Sequence, residues 1–332
     1  MRHTSAKAAL LAVAALGGTV ALTTPASATA ASPARAAWIK SCAIDDYSTE
    51  PCGHWRLMLR DGRTVIVAGA ATTRVDRSGA KSGTEGLFAI SADGRWIAYE
   101  RAGDHRLVVR RSAGGAVTVL PKAALPRGGS TLSADLTLSP RGDKVLVDFT
   151  DEDAGEPARV VTVATGAITR INAKEVAQGF SADGDEVLTT RYRSDNTTEL
   201  ISHRLGDGGV FRRVPPQVVA NAIGFALAAD GKTVAAVVEG YPDTGAKPRV
   251  RVYDLETGAL SAGVTLALGP AYTPYAARWT GDGRLTAVVS PGEEGKSVVA
   301  RVLTTDVETG AVTYQDRFIL NKQRYTYTVA GG

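Results

Sequence analysis

The stretch ISADGRWIAYE, which begins at Ile90, decides the fold because variants of it return four more times along the chain. The copies are LSPRGDKVLVDF from Leu138, FSADGDEVLTT from Phe180, LAADGKTVAAVV from Leu227 and WTGDGRLTAVV from Trp279. Each copy places an Asp-Gly or Arg-Gly pair between two short apolar runs. A tight turn there needs positive φ, which glycine adopts without steric strain, so each copy predicts a β-hairpin.

A second hairpin follows each of these first hairpins at a similar interval. The turn glycines are spaced by 48, 42, 47 and 52 residues, and they are Gly94, Gly142, Gly184, Gly231 and Gly283. The later turns DLETGA from Asp254 and DVETGA from Asp306 are also 52 residues apart. Each period therefore holds four short strands, and about 40–45 residues with four strands is typical of one β-propeller blade.

Five complete blades can be traced, at 86–121, 134–172, 176–215, 222–268 and 275–320. The N-terminal piece HWRLMLRDGRTVIVAGAA, from His54, matches only the second hairpin of a blade. The C-terminal piece QRYTYTVAG, from Gln323, matches a single strand. Joining these pieces gives a sixth blade and closes the ring, which leaves few open strand edges. We therefore predict an all-β, six-bladed propeller of four-stranded antiparallel blades over 54–332, with five or seven blades as alternatives.

The Ser-Ala-Asp-Gly turns at Ser91 and Ser181, paired with the Asp-x-x-Thr-Gly turns at Asp254 and Asp306, resemble the WD-repeat-like propeller repeats of the TolB type. The chain is also similar in style to uncharacterised secreted propeller proteins of actinobacteria, which are likewise rich in alanine and arginine. The resemblance covers about 54–330 and implies a propeller. Its motifs build turns and imply no ligand. We expect neither the separate N-terminal α/β domain of TolB nor the hydrolase domain of propeller-bearing oligopeptidases.

The first 30 residues have the order of a secretory signal peptide. A basic start, MRHTSAK, precedes an apolar run from Ala8 to Leu22, and the small polar stretch TTPASATA follows. We predict cleavage near Ala28 or Ala30. The apolar run has 15 residues, which is shorter than the roughly 20 that span a bilayer. The mature chain is therefore expected to be secreted and to have no membrane span.

The two cysteines, Cys42 and Cys52, lie in an N-terminal segment, 31–53, that export would place in an oxidising compartment. They are predicted to form a disulfide across a short polar loop. A metal pair is the alternative, but only His54 lies nearby, whereas tetrahedral sites need four ligands. The formal net charge is +4, or +2 without the first 30 residues, which is too balanced to indicate nucleic-acid binding.

Function is expected on one end of the propeller. The turns inside each hairpin are short, whereas the loops between second and third strands and between blades are long and varied. Variable loops on a rigid scaffold are where binding usually concentrates. Aromatic and arginine side chains are favoured at recognition surfaces, and the candidate ligand-binding residues on these loops are Tyr192, Arg193, Tyr241, Tyr272, Tyr275 and Arg278. In the alternative interpretation, the tyrosines only cap blade edges.

Searches for catalytic motifs give nothing. The sequence contains no G-x-S-x-G elbow, H-E-x-x-H motif or phosphate-binding glycine loop. We therefore predict no catalytic, cofactor or metal residues. The acidic run Asp151, Glu152, Asp153 and Glu156 does not have the spacing of an EF-hand calcium loop.

The leading hypothesis is a secreted, non-catalytic propeller that binds a protein, peptide or glycan by its long-loop end. The first alternative is a metal-dependent hydrolase or lyase acting in the channel, where at least three carboxylate or histidine groups would have to meet. Asp135 and Asp148 are the acids that could face inward. The second alternative is a structural envelope component that assembles with other chains.

Overall fold

β-Strands make up nearly all of the regular structure in the computed structural model, which describes residues 32–46, 48–126, 128–149, 155–240, 245–268, 272–280, 282–291, 298–320 and 326–331. The predicted signal peptide and its cleavage positions lie outside the described residues. The strands are β1 Ala34–Ala43, β2 Thr49–Leu59, β3 Thr64–Val67, β4 Thr73–Val75, β5 Lys81–Glu85, β6 Phe88–Ile90, β7 Trp96–Glu100, β8 Leu107–Arg111, β9 Thr118–Val119, β10 Ala134–Leu138, β11 Lys144–Phe149, β12 Arg159–Thr162, β13 Ile168–Arg170, β14 Val176–Phe180, β15 Glu186–Tyr192, β16 Thr198–Arg204, β17 Val210–Arg213, β18 Gly224–Leu227, β19 Thr233–Val238, β20 Arg249–Asp254, β21 Val264–Thr265, β22 Tyr272–Trp279, β23 Leu285–Pro291, β24 Val298–Thr305, β25 Val312–Leu320 and β26 Thr326–Val329.

Twenty-four of these strands form six four-stranded antiparallel sheets, each of which is one blade of a propeller, and β4 and β5 form a separate two-stranded sheet. Blade 1 has the order β26-β1-β2-β3, and blades 2 to 6 are β6–β9, β10–β13, β14–β17, β18–β21 and β22–β25. The first-named strand of each blade is the innermost one. The prediction of a six-bladed propeller is therefore confirmed, and so are the five complete blades inferred from the repeat. A 3-10 turn, Lys122–Ala124, and one helical turn, α1 Gln217–Ala220, lie between blades.

The two ends of the described chain meet in blade 1. β26 pairs antiparallel with β1, from Ala36 opposite Val329 to Ile39 opposite Thr326. The composite sixth blade inferred from the sequence is thus present, with the C-terminal strand innermost. Its second strand, β1, comes from the segment that the sequence analysis assigned to the N-terminal disulfide region. Its third strand, β2, begins at Thr49 and includes Cys52.

Apolar side chains pack at every seam between neighbouring blades. Six buried clusters are present in the described residues, one at each seam. The cluster between blades 2 and 3, for example, joins Val109 and Leu120 to Val145 and Val161. Because a single four-stranded sheet cannot bury both of its faces, the blades are stable only as a ring.

The repeated turns are held by the same hydrogen bonds from blade to blade. In blade 2, the Ser91 hydroxyl donates to Asp93 Oδ1 and accepts from the backbone N–H of Trp96 at 3.0 Å. In blade 4, Ser181 makes the same two contacts, with Asp183 at 2.8 Å and the N–H of Glu186 at 3.0 Å. The recurring aspartates therefore have a structural role in the turns.

The turn glycines also lie against the preceding blade. A Cβ on Gly94 would stand 2.0 Å from the backbone oxygen of Ala34, and one on Gly142 would stand 2.4 Å from the side chain of Trp96. At Gly283 nothing lies within 4 Å of the same position. The glycines thus serve blade packing as well as turn geometry. No helix among the described residues is long and apolar enough to cross a membrane.

Replacing Gly94 with alanine should destabilise the ring more than replacing Gly283 with alanine. Both glycines hold positive φ, 73° and 78°, so each alanine costs about 1–2 kcal/mol for the left-handed backbone. Only at Gly94 does the new methyl meet a backbone atom of another blade, and such overpacking costs about 1–3 kcal/mol more. Urea denaturation followed by tryptophan fluorescence measures both losses. Equal losses in the two variants would show that the glycines serve the turn alone.

Candidate functional site

The two ends of the propeller differ as the sequence indicated. We call the end that carries the loops between second and third strands and between blades the long-loop face, and the opposite end the short-turn face. Two hairpins stand on the long-loop face above blades 1 and 2. One is the β1–β2 hairpin, which the predicted Cys42–Cys52 disulfide closes with a Cα–Cα distance of 5.8 Å. The other is the β4–β5 hairpin, which the sequence analysis did not predict.

The β4–β5 hairpin is tied to its surroundings through polar contacts. The hydroxyl of Thr72, just before β4, donates to the carbonyl oxygen of Gly53 at 2.8 Å. Arg74 in β4 donates to the carbonyl oxygens of Ala134 at 2.6 Å and Leu132 at 3.1 Å. The hairpin therefore joins blade 1 to the connection that leads into blade 3. These contacts hold the hairpin in place on the long-loop face.

A cavity of about 720 Å³ forms a groove on this face between blades 2 and 3. It is formed by the loop between β7 and β8, the connection that contains the 3-10 turn, and the residues before β12. Its apolar lining includes Leu107, Pro121, Leu125 and Pro126. Its charged lining consists of Asp104, Arg106, Lys122, Glu156, Arg159 and Arg170, together with His105. Cations therefore outnumber carboxylates among the described residues of the groove.

Several of these charges are already engaged within the protein. Arg159 forms an ion pair with Glu156, and its guanidinium lies 4.9 Å from the ring centroid of Phe149. Asp104 accepts a hydrogen bond from Arg101 at 2.8 Å, and this bond holds the pKa of the Asp104 carboxyl below its usual range. Of the predicted acidic run, Glu156 is thus the partner of an arginine, while 151–153 lie outside the described residues.

Lys122 and Arg170 differ from these engaged charges. Both side chains are exposed, and neither forms a hydrogen bond or an ion pair with any residue that the structure describes. Lys122 belongs to the connection after blade 2 and Arg170 ends β13 of blade 3, so the two cations reach the groove from different elements. These two cations are available to a ligand.

A buried carboxylate orients the histidine of the groove. Glu100, at the end of β7, is 0% exposed, and its Oε1 lies 2.6 Å from His105 Nδ1. Thr131 donates its hydroxyl to the same oxygen at 2.9 Å. Burial raises the pKa of Glu100, and the hydrogen bonds from His105, Thr131 and the backbone N–H of Leu87 only partly oppose it. His105 itself has a φ of 54°, so both its backbone and its ring are held in a specific position.

A second cluster of the same composition lies in blade 4, outside the groove. Glu175 Oε2 lies 2.6 Å from His203 Nε2 and accepts the Thr189 hydroxyl at 2.6 Å. Burial alone would raise the pKa of Glu175, but the hydrogen bonds from His203 and Thr189 outweigh it and lower the pKa below its ordinary value. The two glutamates thus have the same kinds of partners and opposite pKa shifts.

Tyr192 and Arg193 lie together on the long-loop face of blade 4. Tyr192 ends β15, is 70% exposed, and donates its hydroxyl to Asn196 at 3.1 Å. Arg193 lies 3.6 Å from Asp195 and 4.0 Å from Glu199. They do not line the groove between blades 2 and 3. Their role in ligand binding stays a prediction.

Arg278 is not brought to this pair. Arg278 lies at the end of β22 that leads into the turn of Gly283, so it is on the short-turn side of the molecule. Tyr272 and Tyr275 belong to the same strand by their backbones, and their side chains lie outside the described part. Tyr241 also lies outside it. The sequence analysis placed these residues near one another on loops of one face. In the structure, Tyr192 lies on the long-loop face and Arg278 lies on the short-turn side.

The central channel holds a small cavity lined by both polar and apolar residues. The inner strands β10, β14, β18 and β22 enclose a cavity of about 280 Å³, in which Arg278 is the charged residue among the lining residues described. Asp135 and Asp148 do not line it; they face each other across β10 and β11. Burial, with a contribution from the Asp135 charge, raises the pKa of Asp148. No group of three or more His, Cys, Asp or Glu side chains that could hold a metal is found in the described ranges.

The six closed blades define the class of protein, a β-propeller. No protein-family model and no curated protein matches the chain. Among solved structures, the chain is similar to TolB from Acinetobacter baumannii, with 18% identity and a TM-score of 0.51 over 89% of this chain and 65% of that one. It is also similar to a putative TolB from Agrobacterium tumefaciens, with 12% identity and a TM-score of 0.50 over 88% of this chain and 92% of that one. The TolB-like propeller fold inferred from the turn motifs is therefore confirmed, and at these identities the likeness concerns the fold alone.

The chain spans about 65% of the length of the Acinetobacter protein.

The groove between blades 2 and 3 was missed by the sequence analysis, which described the loops between blades only as long and varied. The connection PKAALPRGGS (121–130) is one of these loops. Its two prolines and its lysine were the available signal. Blade 3 contributes Glu156, Arg159 and Arg170 to the same groove. No sequence motif near these residues indicates this, because only closure of the ring brings them to Lys122.

The two Glu–His–Thr clusters should respond oppositely to pH when their glutamates are changed to glutamine. Because the folded pKa of Glu100 is raised, the wild-type protein should gain stability relative to Glu100→Gln as the pH falls through that pKa towards about 4.5. Because the folded pKa of Glu175 is lowered, the wild-type protein should lose stability relative to Glu175→Gln as the pH falls below about 4.5.

Urea midpoints of the three proteins, measured at a series of pH values from neutral to acidic, give both differences. Each variant serves as the control for the other, since both lose one buried carboxylate beside a histidine and a threonine. If both stability differences change with pH in the same direction, the pKa values of Glu100 and Glu175 are not shifted in opposite directions.

Proposed function

We propose that the protein is an exported, non-catalytic binding scaffold that holds a protein, peptide or glycan on its long-loop face. The observation that carries this proposal is the groove of about 720 Å³ between blades 2 and 3. It lies on the face where the loops vary, and it is built on strands that the ring holds rigid. Binding and specificity are usually concentrated in such loops.

The chemistry of the groove favours a ligand segment with negative charge. Lys122 and Arg170 line the groove without engaged partners among the described residues, whereas Arg106, which also lines it, donates to the carbonyl oxygen of Leu120. Leu107 and Leu125 supply an apolar surface for the uncharged part of the ligand. A carboxylate-bearing peptide segment or an acidic sugar combines these two properties.

Tyr192 and Arg193 are a second contact region on the same face, on blade 4. An exposed tyrosine beside an arginine provides contact area and directed hydrogen bonds. In this proposal Tyr241, Tyr272 and Tyr275 extend that region towards blades 5 and 6, and Arg278 contacts only a ligand that enters the channel.

Export is supported by two independent features. The first is the basic, apolar and small-residue order of residues 1–30, with cleavage near Ala28 or Ala30. The second is the Cys42–Cys52 disulfide, because such bonds form and persist in oxidising compartments.

Charge reversal in the groove should weaken ligand binding. The purified protein is applied to arrays of acidic and neutral peptides and glycans, and the affinity for each bound ligand is measured by titration. Lys122→Glu and Arg170→Glu should each weaken binding of an acidic ligand by at least about tenfold, because each replaces an attraction by a repulsion. Arg212→Glu is the matched control, since Arg212 is an exposed strand arginine of blade 4 outside the groove. Binding that is absent, or that falls equally in all three variants, would contradict the proposal.

The full chain, expressed in a secreting bacterial host, should be released with a shortened N-terminus. Mass spectrometry of the released protein is expected to find Thr29 or Ala31 as the first residue. A variant with Leu10 and Leu11 both changed to arginine interrupts the apolar run and should remain inside the cell. Recovery of the unchanged protein only in the cytoplasm, with its N-terminal segment intact, would refute export.

A further inference from the structure

A second cavity of about 400 Å³ lies on the opposite side of the molecule, at the seam where blade 6 meets blade 1. Three arginines line it: Arg35 from β1, Arg60 from the turn after β2, and Arg278 from the end of β22. Asp316 of β25 is the carboxylate among its described lining residues. The cavity therefore collects positive charge from both blades of the closing seam.

The single carboxylate neutralises only one of the three arginines. Arg35 Nη1 lies 2.8 Å from Asp316 Oδ1. The side chains of Arg60 and Arg278 form no hydrogen bond or ion pair with a residue that the structure describes. Arg60 is exposed, whereas Arg278 is partly buried. Burial lowers the pKa of Arg278, the nearby charge of Arg60 lowers it further, and the charge of Asp93 opposes this effect. The cavity thus holds two cations that repel each other.

The Arg278 side chain lies against the backbone that follows the closing strand. Its Nη1 lies so close to Gly331 that a Cβ on that glycine would stand 2.4 Å from it. Gly331 follows β26, the strand that closes the ring. The hydroxyl-bearing residues Thr280, Thr286 and Thr304 line the same cavity. Guanidinium groups and hydroxyls are the side chains that bind oxyanions through directed hydrogen bonds.

We propose that this cavity binds a multivalent oxyanion, a phosphate or sulfate group that is either free or carried by a small molecule. The anion contacts Arg278 of blade 6 and Arg60 of blade 1, and it removes their mutual repulsion. Arginine suits this role because its planar fork matches the oxygens of phosphate and sulfate in pairs. Because the ligand contacts both sides of the closing seam, its binding stabilises the closed ring. The site is separate from the long-loop face and does not depend on the function proposed above.

Thermal unfolding with millimolar phosphate or sulfate, at an ionic strength kept constant with chloride, tests the site. A ligand that binds only the folded state raises the unfolding midpoint with its concentration. The wild-type midpoint should rise and saturate with either anion, and the apparent affinity should be at least tenfold weaker in Arg278→Gln and in Arg60→Gln. Arg284→Gln is the matched control, because Arg284 is an exposed arginine near the same turn that does not line the cavity.

Glycerol phosphate, added in the same way, distinguishes the source of the group. A tighter response to glycerol phosphate than to inorganic phosphate assigns the site to a phosphate carried by a small molecule, and the reverse order assigns it to the free anion. Multivalent anions also stabilise proteins generally by exclusion from the surface. A rise in midpoint that is the same in the wild type, Arg60→Gln and Arg278→Gln is that general effect and overturns the proposal. Arg60 is exposed, so Arg60→Gln separates specific binding from the general effect even if Arg278→Gln fails to fold.

Discussion

The pairing of β26 with β1 is the constraint on which the rest of the molecule depends. Four residue pairs, from Ala36 opposite Val329 to Ile39 opposite Thr326, join strands from the two ends of the described chain. Without them blade 1 would lose its inner strand, and the seams on both sides of it would be exposed. Because every blade buries its faces only against its neighbours, one open seam weakens the others. Ring closure therefore fixes the geometry of both ends of the propeller.

In this ring, the short turns and the long loops have different roles. The short turns are used for packing, as the contacts of Gly94 and Gly142 with the preceding blade show. The long loops contribute some buried residues to the seams, such as Ala124 and Leu125, but they differ in length and sequence from blade to blade. The groove between blades 2 and 3 follows from this division, since its walls come from consecutive blades and its histidine is oriented by the buried Glu100. The arginine cavity at the closing seam is an exception, because it places unbalanced charge on the packing side.

The sequence predicted what repeats and missed what does not. The Asp-Gly turns at Gly94 and Gly184 predicted hairpins correctly because a tight turn is a local property of a few residues. β1 was missed as a blade strand because residues 31–53 were interpreted as a disulfide-closed segment outside the propeller, whereas β1 and β2 form a hairpin of blade 1. The repeat assigns Arg278 to blade 6. Whether Arg278 lies on the long-loop face or on the short-turn side depends on where β22 ends, which the repeat does not determine. The arginine cavity needs residues from four strands or turns, so nothing in any one stretch indicates it.

The closing strands also determine how the molecule can be attached to something else. β26 ends and β1 begins side by side, with Val329 opposite Ala36, on the short-turn side. A fusion partner joined after β26 would leave from that side and would keep the groove facing away from it. A short linker between these neighbouring ends would give a circular chain, which could then be cut at an interblade connection. In such a permuted protein, β26 and β1 would be consecutive strands of one hairpin.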